Sequence, residues 1–409
     1  MATLLYLVHR LPFPPNKGDK VRSFHLLKHL AAKHRVILGT FVDDPEDEVH
    51  VETVRHWCTE LHVARLSPRS AKLRSLVGLV RHEALSVGYY RDGGLATWCR
   101  EMDAKHQIDA TVVFSSPMAQ YAELLPRAPQ LVDFVDVDSA KWVQYADART
   151  WPMSWLYRRE GERLLAYETK VAASAQRSFF VTENETRLFQ RLAPAVAAKV
   201  EALSNGVDSD FFAPEAARPS PYPAKGRAAG SVPMLAFTGA MDYWPNVDAV
   251  VWFVAEVLPR LLTRWPGLCF YIVGRSPAPA VLALASQQVF VTGTVDDVRP
   301  YLQHADVVVA PLRVARGIQN KILEAMAMAR PVVASDVCVG PIGAVENVEL
   351  LSAKDAGDFT AQIDGLLGDP AHADAIGSAG RELVTKRYSW EAHLAGIDRH
   401  LDACMLKVT

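Results

Sequence analysis

The chain has 409 residues, 50% of them apolar and 22% charged, which excludes a disordered or fibrous protein and exceeds what one ordinary core holds, so two domains are expected. A formal net charge of −2 excludes general affinity for nucleic acid. Five scattered cysteines (Cys58, Cys99, Cys269, Cys338, Cys404) form no C-x-x-C pair, which argues against a disulfide framework or structural zinc site and suits a reducing cytosol.

MATLLYLVHR has no basic leader and reads as a first strand rather than a signal peptide. No stretch approaches the ~20 uncharged apolar residues of a membrane span, so neither a spanning nor an exported protein is expected. LLYLVH is followed by a helical VRSFHLLKHLAAKH, then VILGTFV, a helix around VETVRHWCTE, and LHVARLS. TVVFSS, the helix MAQYAELL, LVDFVDV, a long helical stretch over 154–175 and RSFFVTE continue the alternation, and Thr182 with Glu185 predicts a capping box. Short β-rich runs separated by helices indicate βαβ units around a parallel sheet.

An Asn-Gly turn at 205–206 and the Pro-, Ala- and Gly-rich stretch 213–233 mark a linker and a domain boundary. Then the alternation restarts. MLAFTG, the helix VDAVVWFVAEVLPRLL, CFYIVG, a short helix near 279–286, VFVTGTV, DVRPYLQHA, DVVVAPL, a further helix, PVVAS and VELLSA follow, and helical segments 371–387 and SWEAHLAGIDRHLDACM close the chain. The expected architecture is α/β: two doubly wound Rossmann-like domains facing a central cleft. The expected boundaries are 1–205 (N-terminal domain), 206–233 (linker), 234–388 (C-terminal domain) and 389–409 (last helix). Residues 1–205 hold 27 Lys+Arg against 24 Asp+Glu, or +3, and the remainder hold 17 against 22, or −5. In such sheets ligands sit beyond the carboxyl ends of the strands.

The stretch PLRVARGIQNKILEAMAMARPVVAS (311–335) carries the most chemistry. Ile318, Ile322, Ala325, Met326 and Ala329 follow helical spacing and predict one buried face. Lys321 and Glu324, three apart, are neighbours on the helix surface, roughly 4.5 Å apart along the axis. A helix N-terminus favours phosphate through its free N–H groups and partial positive charge. Lys321 adds a full charge in the first turn, and Arg313 and Arg316 in the preceding loop add more. A carboxylate one turn deeper accepts hydrogen bonds from ribose hydroxyls. This pattern points to a nucleotide-diphosphate ligand, with a Mg²⁺ ion unnecessary. The alternative is a surface i,i+3 ion pair worth a few tenths of a kcal/mol.

On these residues, together with FTGAMDYWPNVDAVVWF (237–253), YIVGRSP (271–277), VTGTVDDVRPYL (291–302), LSNGVDSDFF (203–212), LVDFVDVDSAKW (131–142) and LPFPPNKGDKVRSFHLL (11–27), the chain resembles the retaining GT-B glycosyltransferases of family 4. More narrowly, it resembles the sugar transferases associated with bacterial exopolysaccharide and PEP-CTERM/exosortase systems. The resemblance implies that Glu324 is the second glutamate of the family's E-x7-E motif, whose first position is occupied here by Arg316. It implies that Gly317 and Lys321 form the Gly-x-x-x-Lys helix start that meets the diphosphate. The family's basic pair after the first C-domain strand is missing, because GAMDYWPN, which opens on Gly239, has neither Arg nor Lys. Gly18 matches the N-domain glycine loop near the donor phosphate, with Lys17, Lys20 and Arg22 around it, and Thr294–Val295 matches the strand end that holds the base. The last helix resembles the family's helix that crosses back to the N-domain.

DFVDVDSAKW places Asp133, Asp136 and Asp138 just past a strand, followed by Lys141. Either one of the aspartates orients or deprotonates an acceptor hydroxyl, or the cluster is a helix N-cap. Lys20, Arg22 and Lys141 are expected on the acceptor side, and Lys321, Arg316, Asp136 and Asp138 are the catalytic candidates. The resemblance implies front-face displacement with electrostatic stabilisation of the departing diphosphate, no metal or other cofactor, and a saccharide or polyprenyl-linked acceptor. Residues 65–91, basic and amphipathic around KLRSLVGLVRH, and 151–159 (WPMSWLYRR) suggest peripheral contact with the inner face of the plasma membrane. A nucleotide-sugar epimerase or phosphorylase, and a non-catalytic nucleotide-sugar-binding protein, remain alternatives on the same scaffold.

Overall fold

A computed structural model describes residues 1–15, 18–147, 149–222, 232–315 and 318–405. The chain divides into two compact units, Met1–Asn205 with His393–Thr409, and Gly206–Ala392.

The first unit is built on a seven-stranded sheet of order β3-β2-β1-β4-β5-β6-β7. Its strands are β1 (Thr3–Val8), β2 (Arg35–Val42), β3 (Glu60–Arg65), β4 (Ala110–Phe114), β5 (Gln130–Val135), β6 (Arg177–Phe180) and β7 (Val200–Ala202). All pairs are parallel, with Leu5 opposite both Ile37 and Thr111. Burial on both faces explains why β1, β2 and β4 read as continuous apolar runs rather than alternating ones. The helices used below are α1 (Gly18–Lys33), α2 (Pro68–Ser75), α3 (Val77–Arg81), α4 (Asp138–Asp147) and α5 (Met153–Ser174).

The second unit has six parallel strands in the order β10-β9-β8-β11-β12-β13. They are β8 (Met234–Thr238), β9 (Cys269–Val273), β10 (Val289–Gly293), β11 (Val307–Ala310), β12 (Val332–Ser335) and β13 (Leu351–Ala353). The order in which strands are added reverses between β8 and β11, so the loops after these two parallel strands diverge there and open a crevice. Helix α6 (Trp244–Trp252) follows β8 and α7 (Asn320–Ala327) follows β11. Residues 213–222 are less of a linker than their composition suggests. Tyr222 is buried, and its hydroxyl donates to the Tyr301 carbonyl at 2.6 Å.

Three local features differ from the sequence reading. Pro259 cannot donate within a helix, so the helix beginning at Trp244 passes through a π turn at Phe253–Val257 before continuing as Leu258–Arg264. Helix α7 ends at Ala327, because Ala329 adopts a left-handed φ of 53°. There the N–H groups of Ala329 and Arg330 donate to the carbonyls of Met326 and Ala325, forming a Schellman closure. The Thr182 capping box is half formed. Thr182 Oγ1 accepts from the Glu185 N–H at 3.1 Å, while Glu185 itself turns away and accepts from the Val137 N–H at 2.7 Å, pinning the loop after β5.

Helix α8 (Trp390–Met405) joins the first unit from His393 onward. Leu394, Ile397 and Leu401 are buried, and Asp398 binds His29 and Lys33 of α1.

Candidate functional site

The residues with the most chemistry in the second unit gather at the point where β8 and β11 diverge. β8 ends at Thr238 and β9 at Val273, and both continue through glycine. The Gly239 N–H donates to the Val273 carbonyl at 3.0 Å, drawing the two strand ends together. A Cβ on Gly274 would lie 1.6 Å from the Gly239 carbonyl oxygen, so no larger residue fits. A Cβ on Gly239 would lie 2.8 Å from Lys321 Nζ. The strand end has been cleared of side chains, and the lysine of α7 occupies the space.

Lys321 Nζ donates to Asn246 Oδ1 at 2.5 Å and stands 4.2 Å from the centroid of the Phe237 ring. Asn246 is buried in the first turn of α6, and its Nδ2 donates to the Ala240 carbonyl at 2.8 Å. With the amide nitrogen committed there, only the oxygen is left to face the ammonium. The ammonium thus has one neutral acceptor and an aromatic face, and no carboxylate within ion-pair distance among the described residues. Burial lowers its pKa to about 8, against the opposing pull of Glu324.

Glu324, one turn deeper on α7, is half-buried and makes no direct ion pair with Lys321. Its carboxylate has no hydrogen-bond partner among the described residues. Burial raises its pKa to about 7, with Lys321 pulling the other way. Ile322, Leu323, Ala325, Met326 and Ala327 are wholly buried and fix the helix against its sheet. The surface ion-pair alternative is excluded, because the two groups are neither exposed nor in contact.

Arg313 is paired. It is exposed and its guanidinium clasps Asp248, with Nε donating to Oδ2 at 2.9 Å. Arg316 and Gly317 lie outside the described residues. Thr294 is exposed just past β10, and Val295 packs beside Tyr222, Met234, Tyr271 and Val273. Arg275, exposed after β9, is a cation in the loop beside Gly239 that pattern reasoning passed over.

In the first unit the acceptor-side expectations need correction. Lys20 is 1% exposed and is held by both Asp47 oxygens, at 2.6 and 2.7 Å. Arg22 is also 1% exposed, with Nε on Asp133 at 2.7 Å and Nη1 on Asn205 at 3.0 Å. Both are internal ion pairs and not surface cations. Asp136 and Asp138 do come together, because Lys141 Nζ donates to them at 2.7 and 3.1 Å. Desolvation opposes the Lys141 charge, yet Asp138 and Asp136 raise its pKa well above the ordinary value. Gly18 opens α1, and Lys17 lies outside the described residues. Beside them is a group that the sequence did not signal. His9 and Arg10, after β1, reach Asp19 of α1 at 3.4 and 3.1 Å, and Arg10 also binds Asp43 at 2.9 Å. The hydrogen bond from His9 is the main reason that Asp19 is held down at about 2. Among the described residues no group of three or more His, Cys, Asp or Glu stands in metal-ligating proximity.

Residues 232–369 match the family described as glycosyl transferases group 1. The chain is 30% identical over 229 residues to the GDP-mannose-dependent α-(1-6)-phosphatidylinositol monomannoside mannosyltransferase of Mycobacterium tuberculosis, an alignment covering 51% of this chain and 57% of that one. It thus spans little more than half the length of the curated relatives it matches. Sucrose-phosphate synthase of Thermosynechococcus elongatus superposes over the whole of both chains with a TM-score of 0.62 at 19% identity. HepE of Anabaena, in complex with UDP, superposes over 98% of this chain and 100% of its own, with a TM-score of 0.60 at 13% identity. The fold is therefore the GT-B architecture of two Rossmann-like domains, and the likeness to glycosyl transferases group 1 falls on the second of them.

Proposed function

We propose that this chain is a retaining glycosyltransferase that moves a sugar from a nucleotide-diphosphate sugar to a saccharide or polyprenyl-linked saccharide in the synthesis of a bacterial surface polysaccharide. One observation carries the reading. At the switch point of the second unit, a lysine with no carboxylate partner among the described residues stands over a cleared glycine, and a carboxylate with no hydrogen bond among them follows one helical turn deeper. Lys321 supplies the charge that the loop after β8 lacks and stabilises the departing diphosphate. Glu324 accepts the ribose hydroxyls, and Thr294 and Val295 border the base. A front-face displacement makes no demand for a separate base, so the Asp136–Lys141–Asp138 group orients the acceptor.

The activities of the relatives support this class. The mycobacterial mannosyltransferase uses GDP-mannose and a lipid acceptor, and HepE binds UDP. A lipid-linked acceptor would place the protein at the cytoplasmic face of the membrane. No metal is required in this scheme, since lysine and helix terminus neutralise the diphosphate.

The test is thermal unfolding with UDP, GDP, ADP and CMP in metal-free buffer, for the native chain and Glu324→Ala. A ligand at a hundred times its dissociation constant adds about 2.7 kcal/mol. A shift with one diphosphate, lost in the variant, supports the donor site; no shift at millimolar concentration sinks it. Product analysis with and without acceptor then separates transfer from epimerisation, which needs no acceptor.

A further inference from the structure

In the first unit, α2 and α3 run on with only Leu76 between them, itself helical at φ −60° and ψ −23°. Leu73, Leu76, Val77 and Val80 therefore recur at i, i+3, i+4 and i+7 along one face. All four are exposed, Leu73 by 70% and Val80 by 83%. The opposite face, Ala71, Ser75 and Gly78, is buried. Gly78 and Gly88 have little room for a side chain, since a Cβ would meet the Glu83 carbonyl oxygen at 3.2 Å and Ser75 Cα at 3.3 Å respectively.

The start of α5 is fixed to this element. Arg159 Nη2 donates to the Gly78 carbonyl at 2.7 Å, and Nη1 donates to that of Glu83 at 3.2 Å. The buried Glu160 accepts from the Leu85 and Ser86 N–H groups at 2.7 and 2.8 Å. Trp155 lies one turn before Arg159 on the same face of α5, and Trp151 lies just ahead of the helix. They are 56% and 79% exposed. Two stretches some seventy residues apart in sequence are thus tied together through the half-buried Arg159 and the buried Glu160, each bonded to backbone groups of 78–86. Arg69, Lys72 and Arg81 surround the apolar stripe, exposed and with no carboxylate partner among the described residues.

We propose that this face docks on an anionic lipid bilayer surface, with Leu73, Leu76, Val77, Val80 and the two tryptophans entering the headgroup boundary and the cations meeting lipid phosphates. Charge selects the occupant. A symmetric pairing with a second copy would bring the same unpaired cations face to face, whereas an anionic leaflet attracts each of them. Trp beside Leu and Val suits the headgroup level. No helix among the described residues is long and apolar enough to cross a membrane, so contact of this kind is peripheral. The inference deepens the lipid-linked acceptor reading and rests on it only for the purpose of docking.

The experiment is co-sedimentation of the full chain with vesicles of phosphatidylcholine alone or mixed with phosphatidylglycerol. Binding is expected only to the mixed vesicles, falling with added salt. Lys72→Ala/Arg81→Ala should weaken it roughly thirtyfold, at about fivefold per cation, and Leu76→Asp/Val80→Asp should abolish it. All of these positions are exposed, and an unchanged melting temperature and nucleotide response verify the fold. Failure of the native chain to bind mixed vesicles, or binding indifferent to both variants, overturns the proposal. So does a native dimer that Val80→Asp converts to a monomer without vesicles. Vesicle binding without any nucleotide response would keep the docking face and reject the transferase reading.

Discussion

Lys321 Nζ donates to Asn246 Oδ1 at 2.5 Å directly over the position a Gly239 side chain would fill. The partner is neutral, so the ammonium is positioned without being neutralised. A carboxylate there would hold the lysine more tightly and leave less charge for an arriving diphosphate. Asn246→Asp should accordingly weaken nucleoside diphosphate binding by about 1.5–3 kcal/mol, ten- to a hundredfold. Isothermal titration against the preferred diphosphate checks this, and unchanged affinity would mean that the lysine does not meet the ligand.

The same pair sets a pH window. Glu324 titrates at about 7 and Lys321 at about 8 in the empty site. Below 7 the carboxyl is protonated and accepts ribose hydroxyls poorly. Above 8 the lysine loses the charge that holds the diphosphate. Affinity should rise through pH 7, fall through pH 8, and lose its lower limb in Glu324→Gln. Binding measured from pH 6 to 9 with a pH-inert reference ligand tests it.

Stability follows the opposite course. The folded pKa of Glu324 is raised from 4.5 to about 7, so its favourable contribution is complete below 4.5 and lost as pH rises through 7. The folded pKa of Lys321 is lowered from 10.5 to about 8, so the unfolded chain binds more protons between those values and stability recovers there. The empty protein carries both costs between 7 and 8. Glu324→Gln should therefore stabilise the unliganded chain at pH 7.5 by on the order of 1–2 kcal/mol after solvent screening, with little effect at pH 4. Urea titrations at the two pH values would show it. A destabilised variant at pH 7.5 would mean that the carboxylate is structural.

Much of this arrangement was legible in the sequence because it is periodic. Apolar runs of four to eight residues located twelve of the strands, and the Lys321–Glu324 spacing placed both groups on the first turns of α7. β7, only three residues long, gave no such signal. Neither did Asn246, whose role comes from a strand end brought to it by the β8–β9–β11 order. Lys20 and Arg22 misled for the same reason: a basic cluster beside a glycine reads as surface until the sheet supplies Asp47 and Asp133, 27 and 111 residues away. Composition overstated the linker, since an aromatic such as Tyr222 can anchor a Pro-rich segment without any periodicity.

The glycine junction invites a test that is independent of chemistry. Gly274→Ala places a methyl 1.6 Å from the Gly239 carbonyl, a backbone atom that cannot move without parting β8 from β9. The cost should be about 3 kcal/mol or more, and nucleotide binding should fail along with folding of the second unit. Gly365→Ala, within a helix and with open space at its Cβ, is the control and should be neutral or slightly stabilising. Denaturant midpoints of the two variants would separate a local close approach from a general intolerance of substitution.

Arg22 and Asp133 allow the acceptor question to be divided. Both are essentially inaccessible, 1% and 2% exposed, and Arg22 Nη2 is buried with no hydrogen-bond partner among the described residues. Removing the negative charge strands a buried guanidinium, so Asp133→Asn should cost about 3–5 kcal/mol. Asp136→Asn acts on a group that is 35% exposed and shares Lys141 with Asp138, so its cost in stability should be below about 1 kcal/mol. If Asp136 orients the acceptor hydroxyl, that second variant should lower kcat with the fold and nucleotide affinity intact. Acceptor kinetics at saturating donor decide between the roles. A native rate in Asp136→Asn would return this group to the helix-capping alternative.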